Sequence, residues 1–445
     1  MFARLAAEPA GLPRGLHHCP RRVGKTVMLR QIIAEALGSG ADPKSILYAS
    51  IDAPVYSRMP LEKFLSFLPD AKETGIIIFD EIQYLPDWEV HLKDLVDSYP
   101  NIKFIASGSA AAALRLKSRE SGAGRFSEFM LPPLTFYEFL LFSGVDEQLI
   151  EVDSRSDRPV YSAREISVLN ERFIDYLNYG GYPEAVLNQE VRESAEQFIR
   201  NDIIDKVLLK DLPSLYGIND ITELNRLFSV LAYNAGNEVN LESISKSSGI
   251  TKPTIKRYIE YLESAFLIIK LTTVDDNCRT LQRERNFKVY LNNPSMRAAL
   301  FAPVKTTETD KIGHLAESAI ISQWQHAIAF RQLRYARWRN EGEVDVVYLS
   351  GADGRPDWVG EIKWSDRIAD HFAEETRSIL TLIQKHKSIR SAFFTTKTTS
   401  SVTELDGRPV AVTPSALYCY TVGRNVTSQL SMIAFPELAT KVSAA

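Results

Sequence analysis

Apolar and polar positions fall into two periods along the first third of the chain. Continuous apolar runs at 45–52, 75–80 and 102–109 predict buried strands. The stretches 27–33, 61–68 and 88–96 place apolar residues at helical spacing and predict helices. Residues 129–134 read as a closing strand, and a helix begins at Glu138. Strand and helix in alternation predict an α/β fold: a parallel sheet flanked by helices, with ligands at the carboxyl ends of the strands. The stretch that should lead this sheet, Gly15-Leu16-His17-His18, is not the apolar run of a central strand.

Further along, 143–165 is polar and reads as a linker or insertion. A helix at 173–179 stops at Gly180-Gly181-Tyr182-Pro183, and 196–209 is a long amphipathic helix, so 165–215 reads as a helical lid. From Asp220 the pattern shortens. Helices at 241–246 and 251–262, separated by Ser248-Gly249-Ile250, have helix-turn-helix spacing, with Thr251 as a cap and Pro253 in the first turn. Strands at 266–271 and 287–291 would complete a winged helix over 216–295. The last third predicts a helix at 313–321, strands at 343–348 and 358–363 joined by a turn, a helix at 380–385, and strands at 391–396 and 416–420. These make a domain over 305–425, after a first domain over 15–142.

Chemistry gathers at two places. Cys19-Pro20-Arg21-Arg22-Val23-Gly24-Lys25-Thr26 is most of a phosphate-binding loop. Gly24 admits close backbone approach, and Lys25 carries charge to the β- and γ-phosphates. Thr26 can ligate Mg²⁺, Arg22 stands beside the nucleotide, and the following helix offers its N-terminus to the anion. Asp80 ends an apolar strand and would hold Mg²⁺, with Glu81 orienting the attacking water. Ser107 or Ser109 would sense the γ-phosphate, or else cap the helix predicted at 110–117. Arg125, after Gly122-Ala123-Gly124, would serve as an arginine finger or stand as a surface arginine in a turn. The loop departs from its pattern at Cys19, where glycine is expected and a Cβ crowds the turn.

The second place is C-terminal. Glu317 lies on a predicted helix, Asp345 on one strand, and Glu361 and Lys363 two apart on one face of the next. Two carboxylates and a lysine can hold Mg²⁺ and activate water for phosphodiester cleavage, with Glu317 completing the metal shell. Ordinary surface charges on a strand pair are the alternative. In the helix-turn-helix, Lys252, Lys256 and Arg257 could meet phosphates. However, residues 220–270 carry six acids and six bases, so packing or protein contact is as consistent as DNA reading. Arg279, Arg283, Arg285 and Lys288 would form a basic patch on the wing.

Composition narrows the partners. The 445 residues have a net charge of −4, so any nucleic-acid surface is local. Three cysteines without ligand spacing fit a reducing cytoplasm. No stretch approaches the ~20 apolar residues of a membrane span. Met1 to Arg14, broken by Pro9, Gly11 and Pro13, has no signal-peptide core and reads as a loose or truncated N-terminus.

With these motifs in hand, the chain resembles the prokaryotic AAA+ type P-loop ATPases that carry a C-terminal domain of unknown function 4143. The matching residues are 20–26, Phe79-Asp80-Glu81-Ile82-Gln83, Ser107-Gly108-Ser109, Gly124-Arg125-Phe126, Tyr179-Gly180-Gly181-Tyr182-Pro183, 261–267, Glu343-Val344-Asp345 and Glu361-Ile362-Lys363-Trp364-Ser365. The resemblance implies an ATPase domain, a winged-helix linker and a restriction-endonuclease-like PD-(D/E)xK domain. It also implies ATP and Mg²⁺ as cofactors, with Lys25, Thr26, Asp80 and Glu81 around them. Three functions follow as expectations: an ATP-dependent switch acting on DNA or a protein partner, a nucleotide-regulated metal nuclease, or a binding protein with a lapsed P-loop. An Arg125 finger working in trans would require an oligomer.

Overall fold

A computed structural model describes residues 15–18, 22–56, 58–68, 75–108, 127–154, 159–275, 277–278, 286–327, 332–338, 342–350 and 354–434. The first sheet holds β1 (Gly15–His18), β2 (Ile46–Ser50), β3 (Gly75–Asp80), β4 (Ile102–Gly108) and β5 (Ser127–Met130), in the order β2-β3-β4-β1-β5. Every pairing in it is parallel. Helix α1 (Lys25–Gly38) and helix α2 (Trp88–Ser98) cover opposite faces. Strand side chains alternate between those faces. Ile77, Phe79 and Phe104 pack with Trp88, Leu92 and Leu95 of α2, whereas Ile78 and Ile105 pack with Met28, Leu29 and Ile32 of α1.

Gly15–His18 is a strand after all, paired in register with β4 on one side and β5 on the other. Its ladder has partners along both edges, so backbone hydrogen bonding places it where apolar patterning gives no signal. The segment expected to be a linker is also structured. After a capped helix at Phe136–Phe142 comes the hairpin of β6 (Ile150–Asp153) and β7 (Val160–Ala163).

The region read as one lid divides between two cores. Helix α3 (Ile166–Tyr179) buries Leu169, Phe173, Tyr176 and Leu177 with Ile362, Trp364 and Phe393 of the C-terminal region. The following helical run, Ala195–Phe198 with the wide-turn segments Ile199–Asp205 and Val207–Asp211, buries Ile199, Ile203, Val207 and Leu208 in a different core. That core includes α4 (Ile221–Tyr233), α5 (Leu241–Ser248) and α6 (Lys252–Ser264), and also Val23 of the phosphate loop. Thr251 caps α6 by accepting the Thr254 N–H, and Gly249, in the left-handed conformation, closes α5 as the turn chemistry requires.

Strand β8 (Glu238–Asn240), which was not expected, precedes α5, and β9 (Ile268–Val274) and β10 (Asn286–Leu291) come after α6. They do not end there. Strand β11 (Leu333–Trp338), reached through α7 (Thr309–Gln323), pairs parallel to β9. Strands β12 (Gly342–Ser350), β13 (Arg355–Glu361), β14 (Ser391–Thr396), β15 (Ser401–Leu405) and β16 (Arg408–Pro414) extend the same sheet, with α8 (Arg377–Lys385) between β13 and β14. The result is one nine-stranded sheet, β15-β16-β14-β13-β12-β11-β9-β10-β8, running across the boundary expected between 295 and 305.

The strand expected at 416–420 is the start of α9 (Ser415–Ala434). Ala416, Leu417, Cys419 and Tyr420 are all buried, packed among α7, α3 and the helix at Phe136–Phe142. A short run buried on nearly every side carries no period with which to separate helix from strand. No helix among the described residues is long and apolar enough to cross a membrane.

Gly360 lies in β13 one residue before Glu361, and a Cβ built there falls 1.9 Å from the Phe393 ring. Gly360→Ala should therefore destabilise the C-terminal region by about 1–3 kcal/mol through overpacking, read as a lowered urea midpoint. An unchanged midpoint would mean that Phe393 has room to turn away.

Candidate functional site

Gly24, with φ of 96°, ends the phosphate loop in a conformation suited to glycine and starts α1. Lys25 and Thr26 are the first residues of that helix. Lys25 is only 6% exposed, and its Nζ lies 3.8 Å from Glu81 Oε1. Thr26 Oγ1 donates to Asp80 Oδ2 at 2.7 Å.

Asp80, at the carboxyl end of β3 and 1% exposed, is the hub. Tyr48 of β2 donates its hydroxyl to Asp80 Oδ2 at 2.9 Å. Ser107 of β4 donates to Asp80 Oδ1, which also accepts the Glu81 N–H at 3.1 Å. Burial, with the Asp80 carboxylate next in effect, pushes the Tyr48 hydroxyl up to about 12. Glu81 has φ of 54°, a left-handed conformation rare outside glycine, and its Oε2 accepts Gln83 Nε2 at 2.6 Å. The loop, the acids and Ser107 thus meet at the strand ends. The Thr26 hydroxyl and the Asp80 carboxylate adjoin as hard oxygen ligands for Mg²⁺ would. That donor set fits the ion, which would offset phosphate charge.

Arg22 turns elsewhere. Its guanidinium lies 3.2 Å from both Glu184 Oε2 and Asp202 Oδ2, and 5.6 Å from the Phe198 ring centroid. The arginine expected beside the nucleotide instead ties the loop to the helical region. Cys19, Ser109 and Arg125 lie outside the described residues, as do the helix expected at 110–117 and Arg279, Arg283 and Arg285. Tyr48 and Gln83 were not anticipated. Tyr48 could have been suspected from its place on the strand beside the acids.

The C-terminal cluster assembles with one change of cast. Glu317 of α7, Asp345 of β12, Glu361 at the end of β13 and Lys363 come together as expected. At their centre is Lys288 of β10, expected on an exposed basic patch but only 3% exposed. Its Nζ lies 3.1 Å from Glu317 Oε1, 3.2 Å from Asp345 Oδ1 and 2.5 Å from Glu343 Oε1. Tyr290 donates to Glu317 Oε1 at 2.6 Å. The other Asp345 oxygen accepts the Ile362 N–H at 3.0 Å and faces Lys363 Nζ at 3.5 Å. Lys363 Nζ also lies 3.1 Å from Glu361 Oε2.

The charges respond to one another. Burial opposes the charge on Lys288, but Glu317, Tyr290, Asp345 and Glu343 outweigh it and hold the ammonium above the usual lysine range. Burial would likewise raise Asp345, but the Lys363 and Lys288 ammonium groups hold it below the carboxylate range. Glu361 is pushed up by burial first and by neighbouring Asp345 second. Among the described residues, no group of three His, Cys, Asp or Glu side chains has the geometry to hold a metal ion. The expected metal roles of Glu317, Asp345 and Glu361 thus fall on a cluster that already holds two lysine ammonium groups among its carboxylates. A lysine inside the apolar run Phe287-Lys288-Val289-Tyr290-Leu291 was the available signal.

On α6, Lys252, Lys256 and Arg257 are exposed, with Lys252 Nζ 3.6 Å from Glu242 Oε2. The structure thus leaves these bases at the surface, in contrast to Lys288.

Removing the central cation strands buried carboxylates. Lys288→Met should cost about 3–5 kcal/mol, seen as a large drop in the urea midpoint. A loss below 1 kcal/mol would show that the carboxylates are neutralised in another way.

Comparison with known proteins bears on the two halves differently. Residues 19–140 match a family model described as AAA domain, and residues 170–308 match one described as a domain of unknown function, DUF8612. An uncharacterised protein of Haemophilus influenzae is 29% identical over 269 residues, covering 57% of this chain and 61% of that protein. One from Methanocaldococcus jannaschii is 27% identical over 277 residues, covering 60% and 58%. One from Mycobacterium tuberculosis is 25% identical over 356 residues, covering 77% and 70%. The chain thus spans about three fifths of the length of the first two relatives. Among solved structures, the Walker-type ATPase of Pyrococcus abyssi is 17% identical, with 64% of this chain and 90% of that one covered and a TM-score of 0.38. DnaA of Aquifex aeolicus bound to AMPPCP is 13% identical, with 57% and 82% covered and a TM-score of 0.27. The AAA-domain match, falling on the segment that carries Lys25, Thr26, Asp80 and Glu81, supports an AAA-type P-loop ATPase.

Proposed function

We propose that the chain is an ATP-hydrolysing molecular switch, in which nucleotide at the phosphate loop alters the hold of the helical and C-terminal regions on DNA or a protein partner. The observation that carries this reading is the double engagement of the loop. Lys25 and Thr26 face the Glu81 and Asp80 carboxylates, while Arg22 is clamped to Glu184 and Asp202 three residues upstream of Lys25. Phosphate arriving between Lys25 and Glu81 would draw the lysine to itself and leave Glu81 to orient water. The same anion would compete with Glu184 and Asp202 for Arg22, so occupancy would be felt by the helices beyond. Mg²⁺ would sit with Thr26 and Asp80, and Ser107 would orient the Asp80 carboxylate. Arg125 and Ser109 are assigned from the motif alone as finger and phosphate sensor.

The region 216–295 is read as a winged helix and 305–425 as a restriction-endonuclease-like fold. Exposed Lys252, Lys256 and Arg257 on α6 suit contact with phosphates. If they bind duplex DNA, replacing Lys256 and Arg257 by alanine should weaken binding similarly on unrelated sequences and flatten its salt dependence. Fluorescence anisotropy across a salt series would read this, and unchanged binding would point to a protein partner instead.

The first test is turnover. Lys25→Ala should abolish ATP hydrolysis, whereas Glu81→Gln should keep nucleotide binding and lose turnover. Normal hydrolysis by Lys25→Ala would sink the proposal. ATP·Mg²⁺ at ~100 times its dissociation constant should stabilise by ~2.7 kcal/mol, a readable melting shift. A shift confined to Cys19→Gly would mark a phosphate loop closed by its cysteine and would favour a binding protein that does not hydrolyse.

A further inference from the structure

Lys288 Nζ occupies the space that three carboxylates face. Glu317, Asp345 and Glu343 converge on one point from α7 and β12, and that point is the Lys288 Nζ. An ammonium group has three N–H donors and no acceptor, and here it faces three carboxylate oxygens within 3.2 Å. Mg²⁺ would require oxygens about 2.0–2.1 Å from its centre, drawn around a point that already holds a nitrogen. A divalent ion crowded against that ammonium would be repelled by it.

Part of the acceptor capacity of these acids is taken up as well. Glu317 Oε1 takes the Tyr290 hydroxyl in addition to the ammonium. Asp345 Oδ2 takes the Ile362 N–H and faces Lys363. Gly236, with φ of +87°, brings backbone so near that a Cβ there would lie 3.3 Å from Glu317 Oε2. While Lys288 is in place, the point on which Glu317, Asp345 and Glu343 converge is filled by an ammonium group.

We propose that Lys288 is a built-in cation: its ammonium takes the place of a divalent metal among Glu317, Asp345 and Glu343, so the C-terminal cluster is a metal-free charge centre. This inference rests on side-chain geometry and goes beyond the switch reading; it stands or falls independently of ATP turnover. It also assigns Lys288 and Tyr290 of β10 a joint task, because they reach from one strand to acids carried by β12 and α7.

The test is Mn²⁺ binding to the nucleotide-free full chain, followed by electron paramagnetic resonance. An Asp80→Asn background removes the acid of the phosphate-loop site. The chain with Lys288 intact should leave Mn²⁺ free at millimolar concentration. Lys288→Met should gain one bound Mn²⁺ per chain, and adding Asp345→Asn should abolish it. Lys288→Gln, which keeps a polar side chain of similar reach, replaces the methionine variant if circular dichroism shows that the latter does not fold. Mn²⁺ bound with Lys288 present and lost in Asp345→Asn would overturn the proposal. So would a folded Lys288 variant that gains no Mn²⁺.

Discussion

A charge withdrawn from water must be met by hydrogen bonds or by its opposite, and that constraint organises both halves of this molecule. In the first half the withdrawn charge is Asp80, with hydroxyls from α1, β2 and β4 turned toward it. In the second it is Lys288, with acids from α7 and β12 turned toward it. Each case draws together elements far apart in sequence, because no local partner could meet the demand. The difference lies in what is left over. Around Asp80 the donors are neutral, so negative charge remains to attract a cation. Around Lys288 positive charge is already supplied.

The hydrophobic cores follow a different partition from the domains suggested by the chain. Phe173 and Tyr176 belong with Trp364 and Phe393, while Ile199 and Ile203 belong with α4 and α6. The turn Gly180-Gly181 separates the two allegiances and admits a close neighbour: a Cβ at Gly181 would lie within 2.5 Å of the Asn293 side chain. Val23 of the phosphate loop is buried in the second core. Lys25 is therefore two residues from packing that holds the helix-turn-helix elements. This proximity, rather than a long relay, connects the site to the rest of the chain.

Much of this was legible in the residues. The bounds of β3 and the start of α2 follow from apolar period, and Glu317, Asp345, Glu361 and Lys363 were grouped by order and element type alone. What escaped has physical reasons. Lys288 reads as exposed because a lysine in a strand usually is, and its partner Asp345 lies 57 residues away. Residues 416–420 carry no period because almost all are buried. Gly15–His18 is placed by backbone pairing with two flanking strands, a relation that side-chain patterning does not record. Arg22 was assigned to phosphate from its motif position, but acids on distant helices compete for it.

The parallel join of β9 to β11 has a mechanical consequence. Tyr335 lies in register with Thr273 and Ala336 with Val274, so the strands around the helix-turn-helix and those bearing Asp345 and Glu361 belong to a single plate. The five-stranded sheet of Asp80 shares no strand with that plate. Swinging α6 relative to Asp345 would tear hydrogen bonds, whereas tilting the whole plate against the smaller sheet would tear none between strands. Large displacements would therefore carry α6 and the Lys288 cluster as one rigid load, with give confined to the loops and helices between the two sheets.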